Sequence, residues 1–277
     1  HGSLDGNPQN DAEGFAISGS TNVSITNSEF QQLERGVAIN TSSNVTFSNN
    51  NVHDVVVTGI MFAQVNNVTI NGNVFSNLYP EPGDHPDAIQ FLTAGTKEPS
   101  HDISITNNII YRGAGAATQG IFFRDQLTTM HYENVTIVNN LIDGTGYSGI
   151  AVDHIHDLVV TGNSLISNPG DTNKTFLSID SSDTVTLTNN QAIVIGLSGT
   201  TNVSQSGNVI NSAVTDGGIG ALHDWLLRFP EFTARIALIA PSAIPVALTQ
   251  TSPPVIDQEF SLHFDLNFMQ SGWSVEL

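Results

Sequence analysis

A short apolar unit recurs along this chain at a nearly fixed interval. NVSI (22–25), NVTF (44–47), NVTI (67–70), DISI (102–105), NVTI (134–137), DLVV (157–160), TVTL (184–187) and NVSQ (202–205) begin 22, 23, 35, 32, 23, 27 and 18 residues apart. A second series lies between them: GFAI (14–17), GVAI (36–39), GIMF (59–62), AIQF (88–91), GIFF (120–123), GIAV (149–152) and FLSI (176–179). Apolar and polar residues alternate within each unit, so every period carries at least two short strands. One such unit cannot bury its own apolar face, whereas stacked units form a continuous core. The architecture that fits is all-β: a single-stranded right-handed parallel β-helix, a solenoid. A leucine-rich horseshoe would need more Leu and helical backs, and a propeller a period nearer about 40–45 residues.

A third column supports this. Five residues after each first-series Val, Ile or Leu stand Ser28, Asn50, Asn73, Asn108, Asn140, Asn163, Asn190 and Asn208. Inward amides in equivalent turns can satisfy backbone groups that burial would leave unpaired. Asn22, Asn40, Asn44, Asn67, Asn134, Asn173 and Asn202 begin N-x-S/T sequons. The plainer account of these is that Asn and Thr are frequent in such turns and strands.

The repeat spans residues 1–211, and the remaining 212–277 read as a C-terminal segment packed on the solenoid, either capping it or mediating homo-oligomerisation. GIGALHDWLLRFPEF holds short helical stretches broken by Pro230, while FSLHFDLNF (260–268) alternates like a half-buried strand suited to covering an exposed solenoid end.

Charge narrows the partners. Twenty-six acidic residues stand against seven Lys and Arg, a formal charge of −19, with no basic tract, which disfavours nucleic acid. The absence of Cys excludes disulfides and thiolate chemistry, and no apolar run is long enough to span a membrane.

The two longest intervals add about 12 residues between Val68 and Ile103 and about 9 between Ile103 and Val135, and loops on adjacent coils can wall a groove. The segment NLYPEPGDHPDAIQ between them places Asp84, His85 and Asp87 beside the next strand. If Ile89, Phe91, Ile121, Phe123, Ile150 and Val152 point inward, then Gln90, Phe122, Arg124 and Asp153 point outward on strands about 4.8 Å apart. This set suits proton abstraction beside a carboxylate: His85 or Arg124 as base, with Asp87, Asp153 and His154 as further acid-base or orienting groups. Asp84, Asp87, Asp125 and Asp153 are the oxygen ligands a Ca2+ ion would use; no organic cofactor is expected. Gln90, Phe122, Tyr79, Tyr111, Tyr147 and Arg112 are the candidates for sugar contact. Each has a plainer alternative: a Pro-rich acidic turn for 84–87, a surface ion pair for Arg124 with Asp153, solvated turn residues for His154 and His156, and core or loop packing for the aromatics.

Over roughly residues 11–210 the chain resembles the right-handed β-helix carbohydrate-active proteins: pectate lyase-like enzymes, alginate lyases and mannuronan epimerases. At DHPDAIQF it is similar to the epimerases, which carry an Asp-Pro-His-acid cluster where this chain has Asp84-His85-Pro86-Asp87. The resemblance implies an extended polysaccharide bound along one parallel sheet, with calcium or a basic residue serving uronate chemistry. In pectate-type lyases that base is an Arg, and Arg124 is the matching kind of residue. The expectation is therefore a secreted or cell-surface lyase or epimerase acting at C5 of a uronate. A two-carboxylate hydrolase drawn from Asp87, Asp125 and Asp153, and a noncatalytic glycan-binding or adhesin module, are the alternatives.

Overall fold

The structure is a computed structural model that describes residues 13–146, 148–171, 174–233 and 236, together with the backbone of 262–263. Among the described residues twenty strands run in parallel along three faces of a solenoid. The front sheet contains β1 (Phe15–Ser18), the middles of β3 (Glu29–Ser48) and β4 (Asn51–Asn71), then β6 (Asp87–Leu92), β9 (Gln119–Arg124), β12 (Ser148–Asp153), β15 (Phe176–Asp180) and β18 (Ile195–Ser198). The side sheet contains β2 (Thr21–Thr26), the ends of β3 and β4, β7 (His101–Thr106), β10 (Tyr132–Val138), β13 (Ile155–Thr161), β16 (Asp183–Thr188) and β19 (Thr201–Ser206). The back sheet contains the starts of β3 and β4, β5 (Val74–Leu78), β8 (Ile109–Tyr111), β11 (Leu141–Asp143), β14 (Ser164–Ile166), β17 (Gln191–Ala192) and β20 (Val209–Ile210).

The register agrees with the sequence alternation. Ile60, Ile89, Ile121 and Ile150 stack in one buried column and Phe62, Phe91 and Phe123 in another, with ring centroids 4.7 and 4.3 Å apart along the Phe column. Leu92 pairs with Arg124, and Asp153 with Asp180, as the outward spacing predicts.

The amide column is a continuous ladder. The backbone N–H groups of Ser28, Asn50, Asn73, Asn108, Asn140, Asn163 and Asn190 each donate to the side-chain oxygen of the ladder asparagine one coil later, at 2.9–3.1 Å. Each of those later asparagines also donates its Nδ2 to a main-chain carbonyl of the coil before; Asn108 reaches Ile70 O at 3.0 Å. Buried polar groups are thus paired coil by coil. Asparagine serves a second purpose at the turns: Asn22, Asn44, Asn67, Asn134 and Asn202 adopt φ between 51° and 59°. Asn tolerates that left-handed conformation better than most residues, which accounts for these five sequon positions without glycosylation.

Close approach explains a second column. A Cβ at Gly36 would lie 2.3 Å from Gly59 O, and one at Gly120 would lie 2.2 Å from Gly149 O. Successive coils therefore touch through bare backbone at the entry to the front sheet, and Ala88 is the one residue with a side chain in the run Gly36, Gly59, Ala88, Gly120, Gly149. The residues just before the last three of these, Asp87, Gln119 and Ser148, are stacked as a consequence.

Helix α1 (Ile219–Arg228) and the 3-10 turn Pro230–Phe232 lie along the flank of the back sheet. Trp225, Leu226, Phe232 and Ile236 cover its outward residues Val74, Ile109, Leu141 and Ile166, and Trp225 Nε1 donates to Asn139 O at 3.0 Å. The back sheet is apolar on both surfaces, so its outer surface needs a cover as much as the solenoid end does. Leu262–His263 pairs antiparallel with Ser24–Ile25 of β2; the rest of the strand expected at 260–268 lies outside the described residues.

Candidate active site on the front sheet

The front sheet presents a hydrogen-bonded polar row across β6, β9 and β12. Asp87 is fully buried at the start of β6, and its Oδ2 accepts hydrogen bonds from His85 Nδ1 at 3.0 Å and Gln90 Nε2 at 2.5 Å. His85 projects from the preceding turn with 55% of its side chain exposed, and its Nε2 lies 2.8 Å from Gln119 Nε2 on β9. Gln119 Oε1 accepts from Ser148 Oγ on β12 at 2.7 Å. The row is internally consistent. Ser148 holds the Gln119 oxygen, which aims the Gln119 amide N–H at His85; the imidazole must therefore accept at Nε2 and donate from Nδ1 to Asp87. Phe122 closes one side, its ring centroid 4.8 Å from that of His85.

The electrostatics follow from this geometry. The hydrogen bond to Asp87 raises the His85 pKa above its ordinary value, against the opposing effects of partial burial and the Arg124 charge. Burial raises Asp87, while the bonds from His85 and Gln90 pull it back down. Among the described residues Asp87 Oδ1 has no hydrogen-bond partner. The arrangement is a carboxylate–imidazole dyad whose basic nitrogen accepts from Gln119, with the exposed Arg124 guanidinium near enough to act on it electrostatically.

The other expected residues are distributed more widely. Asp84 closes its own turn, with Oδ2 accepting the Glu81 N–H at 2.8 Å. Asp125 is buried: Oδ1 accepts from Thr93 Oγ1 at 2.8 Å and Leu127 N at 3.0 Å, and Oδ2 from Met130 N at 3.1 Å, so it fastens the 125–130 loop. Among the described residues no three His, Asp or Glu side chains are placed to hold a metal ion, so Asp84, Asp87, Asp125 and Asp153 do not form one site. The ion pair considered for Arg124 with Asp153 is not formed. Asp153 Oδ1 instead lies 2.5 Å from Nδ1 of His154, out of hydrogen-bond alignment, and the His154 ring is 5.2 Å from that of His131. Tyr79 and Arg112 follow back-sheet strands and Tyr111 ends one, a face away from His85; Arg112 donates to Gly144 O at 2.6 Å and Asp171 Oδ1 at 2.8 Å. Tyr147 lies outside the described residues.

Sequence reasoning passed over Gln119 and Ser148. Both were readable, because each precedes the Gly-Ile pair that aligns with Ala88-Ile89, which makes them the coil-equivalents of Asp87. A separate cleft of about 490 Å³ lies at the corner between the front and side sheets, lined by hydroxyl and amide groups with Glu98, His101 and Glu133.

Comparison with known proteins adds the following. The family described as the right-handed β-helix region matches residues 5–89 and 35–225. No curated protein matches the chain significantly. The solved structure of the surface protein and adhesin PfbA of Streptococcus pneumoniae aligns with a TM-score of 0.43 and 14% identity, over 71% of this chain and 63% of that one. The periplasmic alginate epimerase AlgG aligns with a TM-score of 0.39 and 18% identity over 70% and 40%. An alginate lyase solved with a trisaccharide aligns with a TM-score of 0.20 and 12% identity over 76% and 57%. The chain spans less than two thirds of each of these proteins.

Proposed function

Because this chain belongs to the right-handed β-helix family, whose stacked coils offer a long flat sheet, we propose that its front sheet binds an extended uronate-containing polysaccharide and abstracts the C5 proton, as a lyase or an epimerase. The observation that carries this reading is the Asp87–His85 dyad on a half-exposed imidazole whose Nε2 accepts from Gln119, within the electrostatic reach of Arg124. His85 Nε2 accepts the C5 proton while Asp87 holds Nδ1–H and stabilises the imidazolium that forms. Arg124 faces the uronate carboxylate and offsets the negative charge that grows there as the C–H bond breaks. In the lyase outcome the C5 electron pair forms a C4–C5 double bond and expels the 4-linked oxygen; in the epimerase outcome C5 takes a proton on its opposite face. Phe122 offers an aromatic surface to a sugar ring, and Gln119 yields its hydrogen bond with His85 to the substrate.

The two-carboxylate hydrolase is poorly supported, since Asp87 is occupied by His85 and Gln90 and Asp125 by a loop. One observation favours noncatalytic glycan binding instead: Gln119 occupies the basic nitrogen of His85 in the unliganded arrangement. The test incubates the protein with a panel of uronans, following ultraviolet absorbance for unsaturated ends and NMR for solvent deuterium at C5. Unsaturation supports the lyase, deuterium without unsaturation the epimerase, and binding with neither signal the noncatalytic module. Secretion or surface display fits a polymeric substrate of this kind.

A further inference from the structure

The front sheet carries its charge unevenly along the solenoid axis. At its exit edge the outward column reads Ala63, Leu92, Arg124, Asp153, Asp180 and Ser198 on successive coils. The register that joins Phe122 to Ala151 brings Arg124 against Asp153 two residues further on. Arg124 and Asp180 are exposed and Asp153 is partly so. In strands β6, β9, β12 and β15 Arg124 is the single Lys or Arg, and Asp153 and Asp180 are the acidic side chains open to solvent, since Asp87 is buried. Asp153 turns to His154 rather than to Arg124, so the two signs stay apart. Lys174 stands ahead of β15, at the opposite edge of the sheet, with Nζ donating to the Asn168 and Pro169 carbonyls. One coil that attracts a carboxylate is thus followed, toward the C-terminal end, by two that repel it.

We infer, resting on the C5 reading above, that the substrate is a heteropolymer: the uronate at Arg124 is followed toward the C-terminal coils by sugars that carry no carboxylate, and Asp153 and Asp180 select them. Neighbouring coils lie about 4.8 Å apart, close to the length of one pyranose, so a chain running along the solenoid axis sets one sugar on each coil. A uronate at Arg124 then places the next two sugars over Asp153 and Asp180. In a pure uronan whose carboxylates all face one way, the next carboxylate lies over Asp153; where they face alternate ways, the next but one lies over Asp180. Either arrangement sets like charges side by side. The hydroxyls of a neutral sugar instead donate to both carboxylates in charge-assisted hydrogen bonds. In the other direction Leu92 and Ala63 carry no charge and impose no such filter.

The experiment offers the full chain polymannuronate, polyguluronate, polygalacturonate and polyglucuronate, each intact and with part of its carboxylates chemically reduced to alcohols, which keeps linkage and configuration. Calorimetric affinity and turnover are both expressed per remaining uronate, at low and at high salt. The partly reduced form of the accepted uronan should be favoured roughly three- to tenfold over the intact form at low salt, with the margin shrinking at high salt. Asp153→Asn and Asp180→Asn, tested singly and together, should narrow that margin by improving use of the intact uronan, a gain that a folding defect does not mimic. Equal or better use of the intact uronan by the wild type, or a margin that both Asn variants leave in place, would overturn this inference while C5 turnover itself still stood. No binding or turnover of any uronan, intact or reduced, would remove the C5 reading and this inference with it.

Discussion

Replacing Asn108 by Ala should be among the most damaging single changes in this protein, and the ladder shows why. The Asn108 side chain takes part in four hydrogen bonds. Its Oδ1 accepts from Asn73 N and Asn73 Nδ2, both at 2.9 Å, and its Nδ2 donates to Ile70 O and Asn140 Oδ1, both at 3.0 Å. Alanine leaves the Asn73 backbone N–H, which is buried, without an acceptor, at about 1–3 kcal/mol. The weakened Ile70, Asn73 and Asn140 contacts add about 0.5–1 kcal/mol each, so the total is about 2.5–6 kcal/mol out of a typical total stability of about 5–15 kcal/mol. Asn208→Ala removes the equivalent bonds from Asn190 and Leu187 at the open last coil. Water replaces them there, and the cost should be about 1 kcal/mol. Asn108→Asp should be worse than Ala at neutral pH, because it buries a charge and loses both Nδ2 donors. Urea unfolding followed by far-ultraviolet circular dichroism measures all three. Equal losses for Asn108→Ala and Asn208→Ala would refute the claim that burial sets the value of each rung.

The proposed base gives a pH signature. His85 is raised by Asp87, so its neutral, active form appears only as pH climbs past a value above that of an ordinary histidine, and kcat/KM should rise along that limb. Asp87→Asn removes the cause of the shift, moving the limb down in pH and lowering the plateau by about 10²–10⁴-fold as general-base orientation is lost. Arg124→Gln removes a charge that lowers His85, so the limb should move up while KM for a uronan rises. Gly120→Ala drives a methyl group into Gly149 O and should cost more than about 2 kcal/mol in urea unfolding, with no recovery from conservative changes elsewhere on the surface. Asp143 sets a stability trend of its own. Its folded pKa of about 7 lies above the unfolded carboxylate value, so native stability should be greatest in mild acid and fall as pH rises through about 7. Asp143→Asn should flatten that fall, which could reach about 4 kcal/mol for a shift of roughly three units.

The regular parts of the molecule were legible because burial acts on every coil alike. Val23, Val45 and Val68 repeat at a period that specifies strands, and Asn73, Asn108 and Asn140 repeat in the one turn where an amide can bridge coils. The inward Phe91 and Phe123, and the outward Gln90, Phe122 and Arg124, follow from alternation once the strands are aligned. The loops obey no such repetition. Nothing in the spacing reveals that Asp125 turns in to hold 125–130, or that Arg112 belongs to a different face from Arg124, because an inserted residue has no coil-equivalent to fix its direction. The helix was readable as a helix, with Pro230 ending it. Its docking partner was not read, although Val74, Ile109 and Leu141 were available as outward apolar residues on successive back-sheet strands. Gln119 and Ser148 show the same lesson in reverse: they lie in the repeat, and a column reading finds them.

The ladder also has a direction. From Ser28 to Asn190 each ladder residue's backbone N–H is satisfied by the asparagine of the following coil. A coil leaving the ribosome is therefore unfinished until its successor arrives, and each arriving coil completes one surface while opening another. Assembly in the order of synthesis closes these gaps one at a time. Assembly from the far end would instead satisfy each new coil's backbone N–H at once and leave its asparagine Nδ2 waiting for the coil before it. The polarity of a row of amides thus gives the solenoid two unlike ends, and among the described residues the row runs as far as Asn208.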